Sequence, residues 1–177
     1  MAKSAARTLV LCALAGLLVG TAGCTSGPKT VSKTDVENQI GQKMSDRNGH
    51  RPESATCPDD LKAAVGATLD CQMKMDGQTY EVDVTVTSIE GDTAKFDMVK
   101  VYDKNQIANQ ISEQLSEQPG HKPESVTCPD KLRVVNGATL RCETNDAGKT
   151  YGVIVNVTGE GSDALIRFEY EQPVTSP

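Results

Sequence analysis

Few side chains in this chain are able to do covalent or acid–base chemistry: six cysteines and two histidines in 177 residues. Four of the cysteines frame a stretch that occurs twice. Cys57 opens Cys-Pro-Asp-Asp-Leu, then come Gly66-Ala67-Thr68-Leu69 and Cys71; Cys128 opens Cys-Pro-Asp-Lys-Leu, then come Gly137-Ala138-Thr139-Leu140 and Cys142. The offset from Cys57 to Cys128 is 71, and it is 71 again from Cys71 to Cys142. An even set of cysteines in an exported chain reads as disulfides. Four cysteines allow three connectivities, and the duplication favours Cys57–Cys71 with Cys128–Cys142. The alternative is a four-thiolate metal site. Zinc sites pair cysteines roughly two to four residues apart, whereas the spacing here is 14. No metal and no other cofactor is expected.

His50 and His121 sit in equivalent places, in Gly-His-Arg-Pro-Glu and Gly-His-Lys-Pro-Glu. Beside Glu53 or Glu124 each has the chemistry of a general base or metal ligand. One histidine with one carboxylate is a thin site, and a turn residue at a helix C-terminus, where positive charge is favourable, is the simpler role. Asp59, Asp60 and Asp130 follow prolines and open a turn, where acids serve as caps. The sequence holds no nucleophile elbow, phosphate-cradling glycine loop or zinc-hydrolase helix. No catalytic residue is assigned, and the chain reads as a non-enzyme.

The remaining two cysteines lie in the first 24 residues. Lys3 and Arg7 precede an uncharged apolar run, Leu9 to Val19, too short to span a bilayer. Thr21-Ala22-Gly23-Cys24 follows and resembles a bacterial lipobox, which implies cleavage after Gly23 and acylation of Cys24. Cys12 lies in the discarded run. Two or three acyl chains anchor a protein stably where one holds marginally. The expected location is the outer face of the cell membrane, tethered through Cys24. Removing residues 1–23, with two basic and no acidic side chains, leaves 16 basic against 24 acidic, a formal net of −8. That balance excludes nucleic acid as a partner, because phosphate backbones are gripped by clustered Lys and Arg.

The elements that position the cysteines repeat with them. Thr34-Asp35-Val36-Glu37 fits a capping box, and Val36, Ile40 and Met44 form one apolar helical stripe ended by Asn48-Gly49. In the second copy Asn105 is the cap, Ile107, Ile111 and Leu115 are the stripe, and Pro119-Gly120 is the stop. Strand-like segments run into Cys57 and Cys128. A short helical turn is expected over 59–65 and again over 130–136, with Leu61 and Leu132 facing in. Three alternating strands come next, around Leu69-Cys71-Met73, Tyr80-Val82-Val84-Val86 and Ala94-Phe96-Met98, with Asp76-Gly77 as a hairpin turn. At an offset of 71, Phe96 would meet Arg167, so one inserted residue is expected near Gly159-Glu160-Gly161, bringing Phe96 onto Phe168 and Met98 onto Tyr170.

The resulting fold class is α+β. Two tandem modules each place one N-terminal helix on a small antiparallel sheet, stapled by a disulfide. The segments are a lipoprotein signal peptide at 1–23, a flexible tether at 24–33, repeat 1 at 34–101, repeat 2 at 104–171 and a tail at 172–177. The run from Val99 to Asn105 holds no Gly or Pro, so the repeats are expected to sit directly against each other. The copies differ in one informative way. Glu81 and Asp83 become Gly152 and Ile154, and Ala63 and Ala64 become Val134 and Val135. Val134, Val135 and Ile154 therefore mark either the contact between repeats, which is favoured, or a partner surface.

The pattern of a helix, Cys-Pro-x-x-Leu, Gly, Cys, Gly and a valine-alternating strand resembles an actinobacterial envelope family, domain of unknown function 4333. The matching positions are Cys57, Pro58, Leu61, Gly66 and Cys71, and Cys128, Pro129, Leu132, Gly137 and Cys142. The resemblance implies an envelope protein, often lipid-anchored, and brings no activity with it. The leading expectation is a membrane-anchored binding module whose partner is an envelope protein or glycolipid. A structural spacer lipoprotein and, more remotely, a hydrolase using His50 or His121 are the alternatives.

Overall fold

A computed structural model describes residues 30–91, 93–117 and 123–171. The signal segment, Cys24, His121, the Pro119-Gly120 stop and the tail from 172 lie outside the described residues.

The described residues open on a two-residue strand, β1 (Thr30–Val31), and enter helix α1 (Lys33–Lys43) at once. Ser32 is the N-cap: its hydroxyl accepts the Asp35 amide at 3.1 Å. The cap thus lies two residues before Thr34, and Glu37 is freed to accept the Cys57 amide at 2.8 Å. Asp60 also serves this helix, accepting the amide of Lys33 at 2.8 Å, and so caps a distant element instead of its own turn. After α1 come β2 (Ser54–Thr56), β3 (Leu61–Lys62), β4 (Thr68–Met75), β5 (Gln78–Glu90) and β6 (Thr93–Tyr102). The expected helical turn after Pro58 is an extended segment whose centre is β3. Leu61 faces in as expected, because β3 pairs with β1 in register Val31↔Leu61 and Thr30↔Lys62. The last residues of the supposed tether are therefore part of the fold.

The second module repeats the design. Helix α2 (Lys104–Ser116) follows β6 with one residue between, and that residue, Asp103, is its N-cap in place of Asn105. Asp103 accepts the Asn105 and Gln106 amides while Gln106 accepts the Asp103 amide, which completes a capping box. The strands β7 (Ser125–Thr127), β8 (Leu132–Arg133), β9 (Thr139–Asp146), β10 (Lys149–Thr158) and β11 (Leu165–Tyr170) complete the chain. All strand pairs are antiparallel.

Each helix lays its stripe on one sheet face. Val36 and Ile40 pack with Met73, Met75, Val82, Val84 and Val86; Ile107, Ile111 and Leu115 pack with Val153, Val155 and Val157. The disulfides Cys57–Cys71 and Cys128–Cys142 are both formed, and all four cysteines are buried in these cores. The opposite sheet faces carry the polar set, as alternation requires.

The last strand departs from the expected register. Val86 faces Phe96, and its equivalent Val157 faces Ile166; Val84 faces Met98, and Val155 faces Phe168. Phe168 thus takes the place of Met98, an offset of 70, and a residue is missing where one was expected to be inserted. The cause lies in the first module. There β5 bulges between Val86 and Ser88, whereas β10 stops at Thr158 and a 3-10 turn, Gly161–Asp163, leads into β11. Offsets of 70 and 72 share parity, so Phe168 still faces in and Arg167 out.

Cores of this size are marginal without a staple. Replacing Cys57 and Cys71 together by alanine is expected to cost about 3 kcal/mol, the chain-entropy value for a loop of about 15 residues. Urea unfolding of the variant against the parent protein measures it; an unchanged midpoint would remove the staple from the account.

Candidate functional site

The two modules meet at a strand pair. β8 of the second module joins the edge of the first module's sheet, which reads β2-β4-β5-β6-β8; the second sheet reads β11-β10-β9-β7. The register is Val101↔Arg133 and Tyr102↔Leu132, extended by the Val134 amide donating to the Lys100 carbonyl at 2.8 Å. Strand order this far apart in sequence is decided by tertiary packing, and the alternation of β8 carries no sign of it.

Side chains lock the pair. Arg133 Nε lies 2.8 Å from Asp83 Oδ2, and Lys131 pairs with Glu81. The acids that Gly152 and Ile154 replace have a role in the first module: Glu81 and Asp83 receive the bases of the second. The repeat contact favoured from sequence is real, but the acids of module 1 make it, not Ile154. Burial pushes the Asp83 carboxyl above the usual carboxylate range despite Lys131 and Arg133 beside it. Its Oδ1 is buried without a hydrogen-bond partner. The hydrogen bond to Glu81 holds the Lys131 ammonium above its ordinary range. Val101, fully buried on the face that carries these pairs, lies in register between Glu81 and Arg133. Two further bonds cross the seam: Gln106 Nε2 donates to the Thr79 carbonyl at 2.7 Å and Arg47 Nη2 to the Ala164 carbonyl at 2.9 Å.

Beside the seam runs a groove of about 220 Å³, lined by Met44, Phe96, Met98, Lys100 and Val134 among others. Lys100 is half-buried on the core face of β6, cross-strand from Val82. Its Nζ lies 3.7 Å from the ring centre of Tyr80 and 4.7 Å from that of Tyr102, a cation–π arrangement. The two rings meet edge to face at 5.2 Å. Burial, then the neighbouring Tyr102 and Asp76, pushes the Tyr80 phenol up to about 12, so it stays neutral and donates to Gln78 Oε1 at 2.9 Å. Sequence reading passed over Lys100, although its phase with Ala94, Phe96 and Met98 marks it as a lysine facing inward.

Of the three residues singled out from the repeat asymmetry, Val134 lines the groove, Val135 is half-buried with its amide donating to the Arg133 carbonyl, and Ile154 lies elsewhere. Ile154 is cross-strand from Arg141 and Glu169 on the polar face of the second sheet. There Arg141 pairs with Glu171 at 2.8 Å, over Gly152, where a Cβ would collide with the Glu171 carboxylate. The three residues do not form one surface.

His50 does not meet Glu53. Glu53 accepts the Gly77 amide and pairs with Lys74, which together hold its carboxyl below the usual range. His50 Nδ1 lies 3.0 Å from Asp46 and 3.8 Å from Asp76. The residues Asp46, His50 and Asp76 bring ligand atoms within 4.8 Å of one another, as do Asp70, Glu81 and Asp83. Asp46 already accepts the Asn48 and His50 amides, and the second set faces Lys131 and Arg133. Among the described residues no helix is long and apolar enough to cross a membrane.

A family model described as Domain of unknown function (DUF4333) matches residues 13–91 and again 93–161. The two matches divide the chain in the turn between β5 and β6, so β6 opens the second copy much as β1 stands ahead of α1 in the first. No curated protein and no solved structure matches the chain.

Two outcomes are expected at these sites. A double-mutant cycle of Asp83→Asn and Arg133→Gln should show a coupling of roughly 1 kcal/mol in urea unfolding; zero coupling would leave the seam to backbone and apolar contacts. Glu53→Gln should lower the unfolding midpoint at pH 7. The Glu53 carboxyl is depressed in the fold from 4.5, so its contribution is present above that pH and vanishes as pH falls through the folded value. The two proteins should converge once the pH lies below the folded value, in the same measurement.

Proposed function

We propose that this chain, which belongs to the DUF4333 family, is a membrane-anchored cell-envelope lipoprotein that works as a non-enzymatic binding module. In this reading Cys24 carries the acyl anchor and the two modules stand on the outer face of the membrane. With β1 docked in the fold, the stretch between the acylated cysteine and the described fold is residues 24–29. At roughly 3.4 Å per residue it holds the first module within about 20 Å of the acylated cysteine.

The observation that carries the binding reading is the seam. Two small modules are joined without slack by β6–β8 pairing and two ion pairs, and the joint leaves a groove with an inward lysine at its wall. A rigid joint presents a composite surface that neither module has alone. The partner expected is an envelope protein or glycolipid, not nucleic acid, given the acidic balance. The rigid joint also favours a second reading, a structural spacer of the envelope with no saturable ligand.

Two experiments test the reading. Cys24→Ser should move the protein from the membrane fraction to the soluble fraction and abolish palmitate labelling; retention of both would remove the anchor. Crosslinking in intact envelope followed by capture should enrich one specific protein or glycolipid in the parent and less of it in a seam variant such as Arg133→Glu. Equal, unspecific capture from both would favour the spacer.

A further inference from the structure

The seam groove combines a cation and an apolar wall in a way that selects among ligands, and a ligand class assigned to it rests on the binding-module reading. Lys100 is the informative residue. The chain has a formal net charge of −6, yet among the described residues no carboxylate lies within 4.0 Å of the Lys100 ammonium. Its stacking on Tyr80 and Tyr102 fixes its position and leaves its donors to whatever enters the groove. Beyond it the wall is Met44, Phe96, Met98 and Val134. Unbranched methionines adapt to a flexible chain, where branched side chains would demand one shape.

We propose that the groove binds the carboxylate end of a single fatty chain, with the head group on Lys100 Nζ and the first part of the chain along Met44, Phe96 and Met98. Several features favour a monoanion over a phosphate. No guanidinium lines the groove among the described residues, and Arg47, in the neighbouring recess, is committed to the Ala164 carbonyl, so no bidentate fork is aimed inward. Lys43, at the same wall, donates to Gln39 Oε1 and lies over Phe96. Asp97 also lines the groove, and its charge disfavours a dianion more than a monoanion. The volume, about 220 Å³, suits part of one chain and excludes a folded peptide.

The test is isothermal titration calorimetry of the full chain carrying Cys24→Ser, so that no acyl group of its own competes, with sodium octanoate and with 1-octanol. Octanoate should saturate one site, and 1-octanol should bind at least about ten-fold more weakly. Lys100→Gln should lose about ten-fold of octanoate affinity and Lys100→Arg should retain most of it. Ser162→Glu, on the exposed turn that lines the groove, leaves the core untouched and should also weaken octanoate. The inference is overturned if octanoate gives no saturable heat, if octanol binds as well, or if both Lys100→Gln and Ser162→Glu bind octanoate like the parent. Should octanoate fail while envelope crosslinking still captures a partner, the ligand class falls and the binding module stands. Failure of both removes the module reading as well.

Discussion

Two register pairs, Val101 with Arg133 and Tyr102 with Leu132, carry the second module onto the edge of the first module's sheet. Much else depends on that short ladder. It brings Lys131 and Arg133 over Glu81 and Asp83. It places Tyr102 against both cores, and it opens the groove in which Lys100 stacks on Tyr80. A two-residue strand is weak alone. Here it is held by a buried leucine on one face and by partly exposed ion pairs on the other, each of which contributes modestly.

The same ladder occurs once more, between Thr30–Val31 and Leu61–Lys62. Each pair lies 71 residues from its counterpart, so the end of the tether sits where the last strand of a preceding module would. A module is thus completed by a strand that precedes its helix, and the family match at 93–161, which begins with β6, follows that unit. The second module differs from the first on this face. Gly152 and Ile154 stand where the first module has Glu81 and Asp83, and Arg141 closes over Gly152 onto Glu171.

In the binding reading proposed above, recognition belongs to the joint. The disulfides lie buried inside the cores, so four of the residues with the most reactive potential have become structural. The histidine corner is a turn that satisfies itself through Asp46. What remains available for recognition is a cation that the fold positions and does not neutralise.

Sequence alone determined what short-range rules govern. Cysteine spacing and duplication identified both disulfides, and period-2 and period-4 patterns identified the core faces of β5, α1 and α2, because burial is written in alternation. Parity even recovered the facing of Phe168 when the count of residues was wrong, since a bulge at Val86 changes length without being visible in composition. Tertiary structure decided the rest. Ser32 and Asp103 cap the helices because β1 and β6 end immediately before them, while Thr34 and Asn105 are equally good caps by type. The segment after Pro58 is a strand because a partner edge exists for it. Lys100 has two tyrosines and no carboxylate beside it because the pairing of β5 with β6 sets Tyr80 and Tyr102 against it. Each of these depends on which distant backbone supplies the neighbour. That choice is made by packing across about 30 residues of chain for β3 and by the β5–β6 register for Lys100.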